Sequence, residues 1–231
     1  MIWIVVIVTI AVALITSHRI TTDEIILFCV LIPSIILHEV AHGWVALAFG
    51  DDTAKRAGRL TLNPMAHIDL VGTLILPAIM ILSGFGFFGY AKPVPVNLAN
   101  LRNPRNHGVL VSLAGPATNV VIAAASAVAF HLSGAANTAN PTPIWVLVLF
   151  YIGLANIWLA VFNMIPIPPL DGSVLFERLL PRAWWPGYLR IRRYSMPLLI
   201  GLVLLTLTFH VGVLADLSNA TTNWWASVLG V

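Results

Sequence analysis

Leu37-His38-Glu39-Val40-Ala41-His42 lies inside an apolar run from Ile25 to Phe49, and its reading decides the rest of the chain. On a helix, residues four apart stand one turn apart on the same face, so His38 and His42 can reach a single ion. Glu39 is rotated about 100° from His38 around the axis, where its carboxylate meets a water beside the ion and not the ion itself. Neutral imidazoles are zinc ligands, catalytic zinc keeps an open position, and a nearby carboxylate then serves as general base. The spacing is the H-E-x-x-H arrangement of zinc proteases. The competing reading is a chance match of five residues. Ionisable groups are costly among membrane-embedded apolar residues and are functional there by default, which favours the metal reading.

Composition sets the surroundings of this helix. The chain has 231 residues, 59% of them hydrophobic and only 9% charged, with mean hydropathy +0.92. These values predict an all-α polytopic membrane protein and exclude a soluble globular domain. All twelve Lys and Arg fall outside the apolar runs. No basic patch with interleaved aromatics is present, so a nucleic-acid partner is not expected. The single Cys29 rules out an intramolecular disulfide and a cysteine-rich metal site.

About six transmembrane helices are expected, from apolar runs at 2–16, 25–49, 70–82, 109–132, 144–165 and 197–213. The first lacks a positive n-region and a small-residue cleavage site and reads as a retained span. The third is short for a full crossing, so it is tilted or crosses incompletely. Pro33 is expected to kink the helix one turn before the histidines. Gly58 to Pro64 alternates and stops at proline, as a short strand does. Tyr90 to Asn97 alternates around two prolines, which suits an edge or re-entrant β-hairpin near the active site, or a plain loop. The whole of 1–231 is expected to form one integral membrane domain with its core at 24–180.

Four further places bear on chemistry. The fifth run ends in Pro166-Ile167-Pro168-Pro169-Leu170-Asp171-Gly172, and three prolines unwind the helix beside a carboxylate. Asp171 there is a third zinc ligand or part of an Asp-Gly turn. His67 is a second candidate ligand, entering from a loop. Asn119 hydrogen-bonds a zinc ligand from behind or makes an interhelical contact. Asn156 and Asn163, seven apart, share one helix face. Arg178 to Arg193 is basic and aromatic, and Trp224-Trp225 is expected at the opposite interface. Nine basic residues against three place the N-terminus outside.

HEVAH on one span and FNMIPIPPLDG at the end of another, with GRLTLNPMAHID, KPVPVN and SLAGPATN between them, resemble the site-2 protease family of intramembrane zinc metalloproteases. The compact bacterial and archaeal branch is the nearest likeness, over about residues 24 to 180. That resemblance implies one zinc per chain on His38, His42 and Asp171, with Glu39 as the base. It implies that Asn163 positions substrate or stabilises an oxyanion. The substrate would be a transmembrane protein or peptide, cut in or near its span, and the protein would sit in the lipid bilayer of the cell membrane. Neither a PDZ module near residue 90 nor a nucleotide-sensing domain after the last run is expected. A zinc-binding transporter or a non-catalytic membrane chaperone on the same fold is the alternative. Glu39 favours the enzyme, because a pure binding site needs no non-ligating carboxylate at that point. No G-x-S-x-G or G-x-G-D supports a serine or aspartyl protease.

Overall fold

The computed structural model describes residues 21–69, 72, 92–135, 142–208 and 213–231. The first apolar run (2–16) and nearly all of the third (70–82) lie outside them. Thr21 starts the first helix, α1 (Thr22–Ala48), with a reciprocal capping box. Its hydroxyl accepts from the Glu24 amide at 3.3 Å while the Glu24 carboxylate accepts from the Thr21 amide at 2.7 Å. Pro33 sits inside this helix. Gly50 closes its C-terminal end with φ 109°, a left-handed conformation that favours glycine.

A short helix α2 (Thr53–Arg56) and a 3-10 turn at Pro64–Ala66 follow. Asn103 caps α3 (Pro104–Leu132), accepting from the Asn106 amide at 3.3 Å, with Pro104 in the first turn. Next come α4 (Ile144–Asn163), α5 (Gly172–Leu179), α6 (Trp185–Arg192), α7 (Ser195–Thr208) and α8 (Val213–Leu229). Among the described residues, α1, α3 and α4 are long and apolar enough to cross a membrane. Each packs against the other two. Their inner faces meet through Ile26, Val30 and Ala155 at one level and Ala123, Phe130 and Val146 at another. Val121, Val128, Leu132 and Ile144 are exposed on the outer faces, as lipid-facing positions are.

Three sequence expectations change. No strand occurs among the described residues. Residues 58–64, expected as a strand, instead turn at Gly58 and run irregularly into the 3-10 turn, because Gly58 is left-handed and the Arg59 amide folds back onto the Ala54 carbonyl at 2.9 Å. Of the expected hairpin, only 92–97 is described, and that segment runs irregularly without a strand partner. The tail, expected to rest Trp224-Trp225 at an interface, is the helix α8. Trp225 is buried against Gly153 of α4, where a Cβ would overlap the indole, and donates its Nε1–H to the Phe150 carbonyl at 3.0 Å. A missing side chain on α4 thus makes the seat for the largest side chain on α8.

Candidate metal centre

Helical spacing brings His38 and His42 of α1 edge to face, with their Nε2 atoms 3.1 Å apart. The unwound Pro166–Pro169 stretch returns the chain across the end of α4, and Asp171 arrives from that side. Its Oδ2 lies 3.0 Å from His38 Nε2 and 3.4 Å from His42 Nε2. The expected Asp-Gly turn is present, yet the Asp171 side chain makes no capping hydrogen bond to α5. It is aimed at the histidines instead. Gly172 has a separate steric reason: a Cβ there would overlap the Met164 carbonyl. The Ser112 hydroxyl donates to the Asp171 carbonyl at 2.7 Å, holding this corner onto α3.

The far side of each imidazole decides what the near side offers. His38 Nδ1 faces Asn119 Oδ1 at 2.5 Å, and His42 Nδ1 faces the Val111 carbonyl at 2.6 Å. Both partners only accept, so both Nδ1 atoms carry hydrogen and both Nε2 atoms present lone pairs. Two lone pairs and a carboxylate oxygen then converge with no proton between them in the neutral-imidazole state. The three ligand atoms lie within 4.8 Å of one another. An acceptor-only pocket of two nitrogens and one oxygen, leaving a fourth position open, suits zinc. Gly115 of α3 completes the cradle. A Cβ there would stand 2.5 Å from His38 Nε2 and overlap His42 Nε2, so glycine alone lets α3 approach.

Glu39 lies outside the convergent group and lines the cavity of about 380 Å³ that opens over it. Its Oε2 accepts the Val94 amide at 2.8 Å. Asn163 lines the same cavity, with its amide nitrogen donating back to the Leu159 carbonyl at 2.9 Å. His67 is not among the convergent ligands. It is buried, donates from Nε2 to the Thr61 carbonyl at 2.8 Å, and accepts the Lys92 amide on its own carbonyl at 2.9 Å. It therefore braces a turn, and the candidacy of His67 as a ligand ends there.

The wall opposite the ligands is residues 92–97, fastened by side chains at three points. Arg59 donates to the Lys92 and Pro93 carbonyls at 2.6 and 3.3 Å. Glu39 takes the Val94 amide, and buried Asp51 takes the Asn97 amide at 2.7 Å and the Asn100 side chain at 3.0 Å. Burial opposes ionisation of Asp51, but donors from Thr53, Asn100 and Asn97 outweigh it and hold the carboxyl below its usual range. Sequence reasoning missed Arg59, Asp51 and the Val94 amide, which no local pattern marks. It also missed Ser34, although its place four residues before His38 was legible. On the other side of the centre, Glu177 of α5 accepts Tyr188 at 2.7 Å and Arg192 at 3.2 Å from α6. Burial and the neighbouring carboxylate push the Tyr188 phenol up.

The comparisons with known proteins agree with this centre. The chain is 43% identical over 155 residues to YwhC of Bacillus subtilis, provisionally named a zinc metalloprotease, covering 65% of this chain and 67% of that protein. Proteins provisionally named zinc metalloprotease Rip2 are 34% identical, over 145 residues in Mycolicibacterium smegmatis and 149 in Mycobacterium tuberculosis. Each of these alignments covers 62% of this chain and 53% of the mycobacterial protein, about half its length. No family model and no solved structure matches. With the ligand motif, the broken helix and these relatives in agreement, the chain belongs to the site-2 protease family of zinc metalloproteases.

Proposed function

We propose that this protein is an intramembrane zinc metalloendopeptidase that hydrolyses peptide bonds in or near the membrane-spanning segments of membrane proteins. The observation that carries the reading is the acceptor-only convergence of His38, His42 and Asp171, with the non-ligating Glu39 beside it in one cavity. His38, His42 and Asp171 would hold one zinc per chain. Zinc, when bound, supplies a Lewis acid that lowers the pKa of a water towards about 7 and polarises a carbonyl.

The remaining work belongs to the chain's own residues. Glu39 takes the proton of the attacking water and returns it to the leaving amine. Asn163, on the cavity wall, orients the scissile carbonyl. Residues 92–97 flank an unwound substrate and offer backbone groups for strand addition along the cleft. A helical substrate hides its carbonyls, so it must unwind locally before cleavage.

Around the site we infer a single membrane domain over 1–231 whose spans include α1, α3 and α4. Residues 2–16 and the region of 197–213 would add to them, but the expected span at 70–82 is dropped: the Lys92 amide donates to the His67 carbonyl and Arg59 to the Lys92 carbonyl, so the segments before and after it lie on one side. With 51–69 bonded to 92–103, eleven of the twelve Lys and Arg share one side, which faces the cytoplasm, and Arg19 alone lies on the other. The expected nine-to-three orientation is therefore not kept. The protein sits in the cell membrane with the lipid bilayer as its surroundings.

The test is zinc content and cleavage measured on the same detergent-purified samples. Wild type should carry about one zinc and cut a membrane-span substrate. Glu39→Gln should keep its zinc and lose about 10²–10⁴-fold in cleavage. Near-normal cleavage by Glu39→Gln would sink the assigned mechanism. Zinc retained with no cleavage of any membrane substrate by wild type would favour the transporter or chaperone reading.

A further inference from the structure

The metal centre is backed by polar residues that reach neither the ligand atoms nor the cavity. Ser34, Asn119 and Asn156 come from α1, α3 and α4, and all three are buried, Asn119 and Asn156 completely. In a bundle of apolar helices such groups must find their partners within the protein.

Their hydrogen bonds have one consistent direction. The Ser34 hydroxyl donates to the Val30 carbonyl at 2.8 Å, which uses its single proton. Its oxygen can then only accept, and Asn156 Nδ2 donates to it at 2.9 Å. The second Nδ2 hydrogen of Asn156 goes to the Ile152 carbonyl at 2.8 Å. Asn156 Oδ1 is thereby turned to α3, where it accepts Asn119 Nδ2 at 2.6 Å. With its nitrogen held there, Asn119 presents Oδ1 to His38 Nδ1. Flipping either amide would set oxygen against oxygen and N–H against N–H at a completely buried position.

We propose that Asn156 and Ser34 are positioning residues for the metal centre, acting through Asn119 to keep the proton on His38 Nδ1 and the lone pair on Nε2 directed at the ion. The inference rests on the zinc reading of the site. Partners behind a ligating histidine typically change metal affinity by about 10–100-fold, and here the control begins two residues further back.

The experiment is chelator competition for zinc on the full chain in detergent, with the unfolding midpoint of each zinc-free protein measured alongside. Wild type, Asn119→Leu, Asn156→Leu, Ser34→Ala and the Asn119→Leu/Asn156→Leu double variant are compared. Zinc affinity should fall about 10–100-fold in Asn119→Leu, less in Asn156→Leu and least in Ser34→Ala. The double variant should bind zinc no more weakly than Asn119→Leu alone, because Asn156 acts only through Asn119. A merely structural role would lower the unfolding midpoint while leaving the zinc affinity of Asn156→Leu and Ser34→Ala within twofold of wild type. That result, or losses that multiply in the double variant, would overturn the proposal. If Asn156→Leu does not fold, the small Ser34→Ala substitution decides the matter by the same criterion. Wild type that binds no zinc would reject the metal centre itself, whereas wild type that binds zinc with unaffected variants would reject only the relay.

Discussion

The two walls of the cleft are held in opposite ways. On one side, His38 and His42 are spaced by a single helical turn, and α3 and α4 close behind them with hydrogen bonds among fully buried groups. On the other, residues 92–97 have no regular secondary structure and are fastened by Arg59, Glu39 and Asp51, which lie 33 to 55 positions away in sequence. The first wall positions three ligand atoms and gains from rigidity. The second, which in the proposed function flanks the substrate, is attached by a small number of separable bonds. Glu39 belongs to both, since it sits on the helix of the ligands and holds the amide of the facing segment.

The contrast breaks most sharply if a ligand is removed. His38→Ala and Asp171→Ala should each lose bound zinc, falling from about one per chain towards zero, and lose cleavage with it. Metal analysis of the purified proteins checks this. Full zinc and activity in Asp171→Ala would move the third ligand elsewhere. The next effect in size is at Gly115, where a Cβ would meet both imidazoles. Gly115→Ala should weaken zinc binding by about 10–100-fold, measured by chelator competition, because α3 must retreat from the ligands.

On the opposite wall the same assay should give the opposite result. Arg59→Ala should leave zinc content intact and lower kcat/KM for a membrane-span substrate by about tenfold, as expected for loss of one positioning contact of about 1.4 kcal/mol. A loss of zinc in that variant would show that the two walls are not separable. The smallest effect is that of pH on Asp51. Its carboxyl titrates below its unfolded value of about 3.9, so the stabilisation is complete above that pH and is lost as pH falls through the lower folded value. Unfolding midpoints should therefore drop more steeply below about pH 4 in wild type than in Asp51→Asn, and should differ by a constant amount above it.

The parts legible in the sequence are those carried by one helix or one break. The i, i+4 histidines, the non-ligating Glu39 and the proline-broken end bearing Asp171 follow from helical geometry and from proline's missing amide hydrogen. Apolar length marked α1, α3 and α4 because a bilayer leaves backbone groups no partner but the helix itself. Asn119 stood open between a ligand contact and an interhelical one, and the structure makes it both. Its amide has two ends, and only the packing of α4 decides which end faces His38.

Other features needed the tertiary structure. The alternation at 58–64 pointed to a strand, yet a strand exists only with a neighbour to pair, and here Gly58 turns the chain away. Trp225 looked interfacial until Gly153 opened a seat for it. The sequence by itself marked the long apolar helices, the i, i+4 histidines and the neighbouring Glu39, because each depends on spacing within one segment. The orientation of Asn119, the fit of Gly115 and the anchoring of 92–97 were decided by tertiary packing, because each depends on which distant group stands opposite.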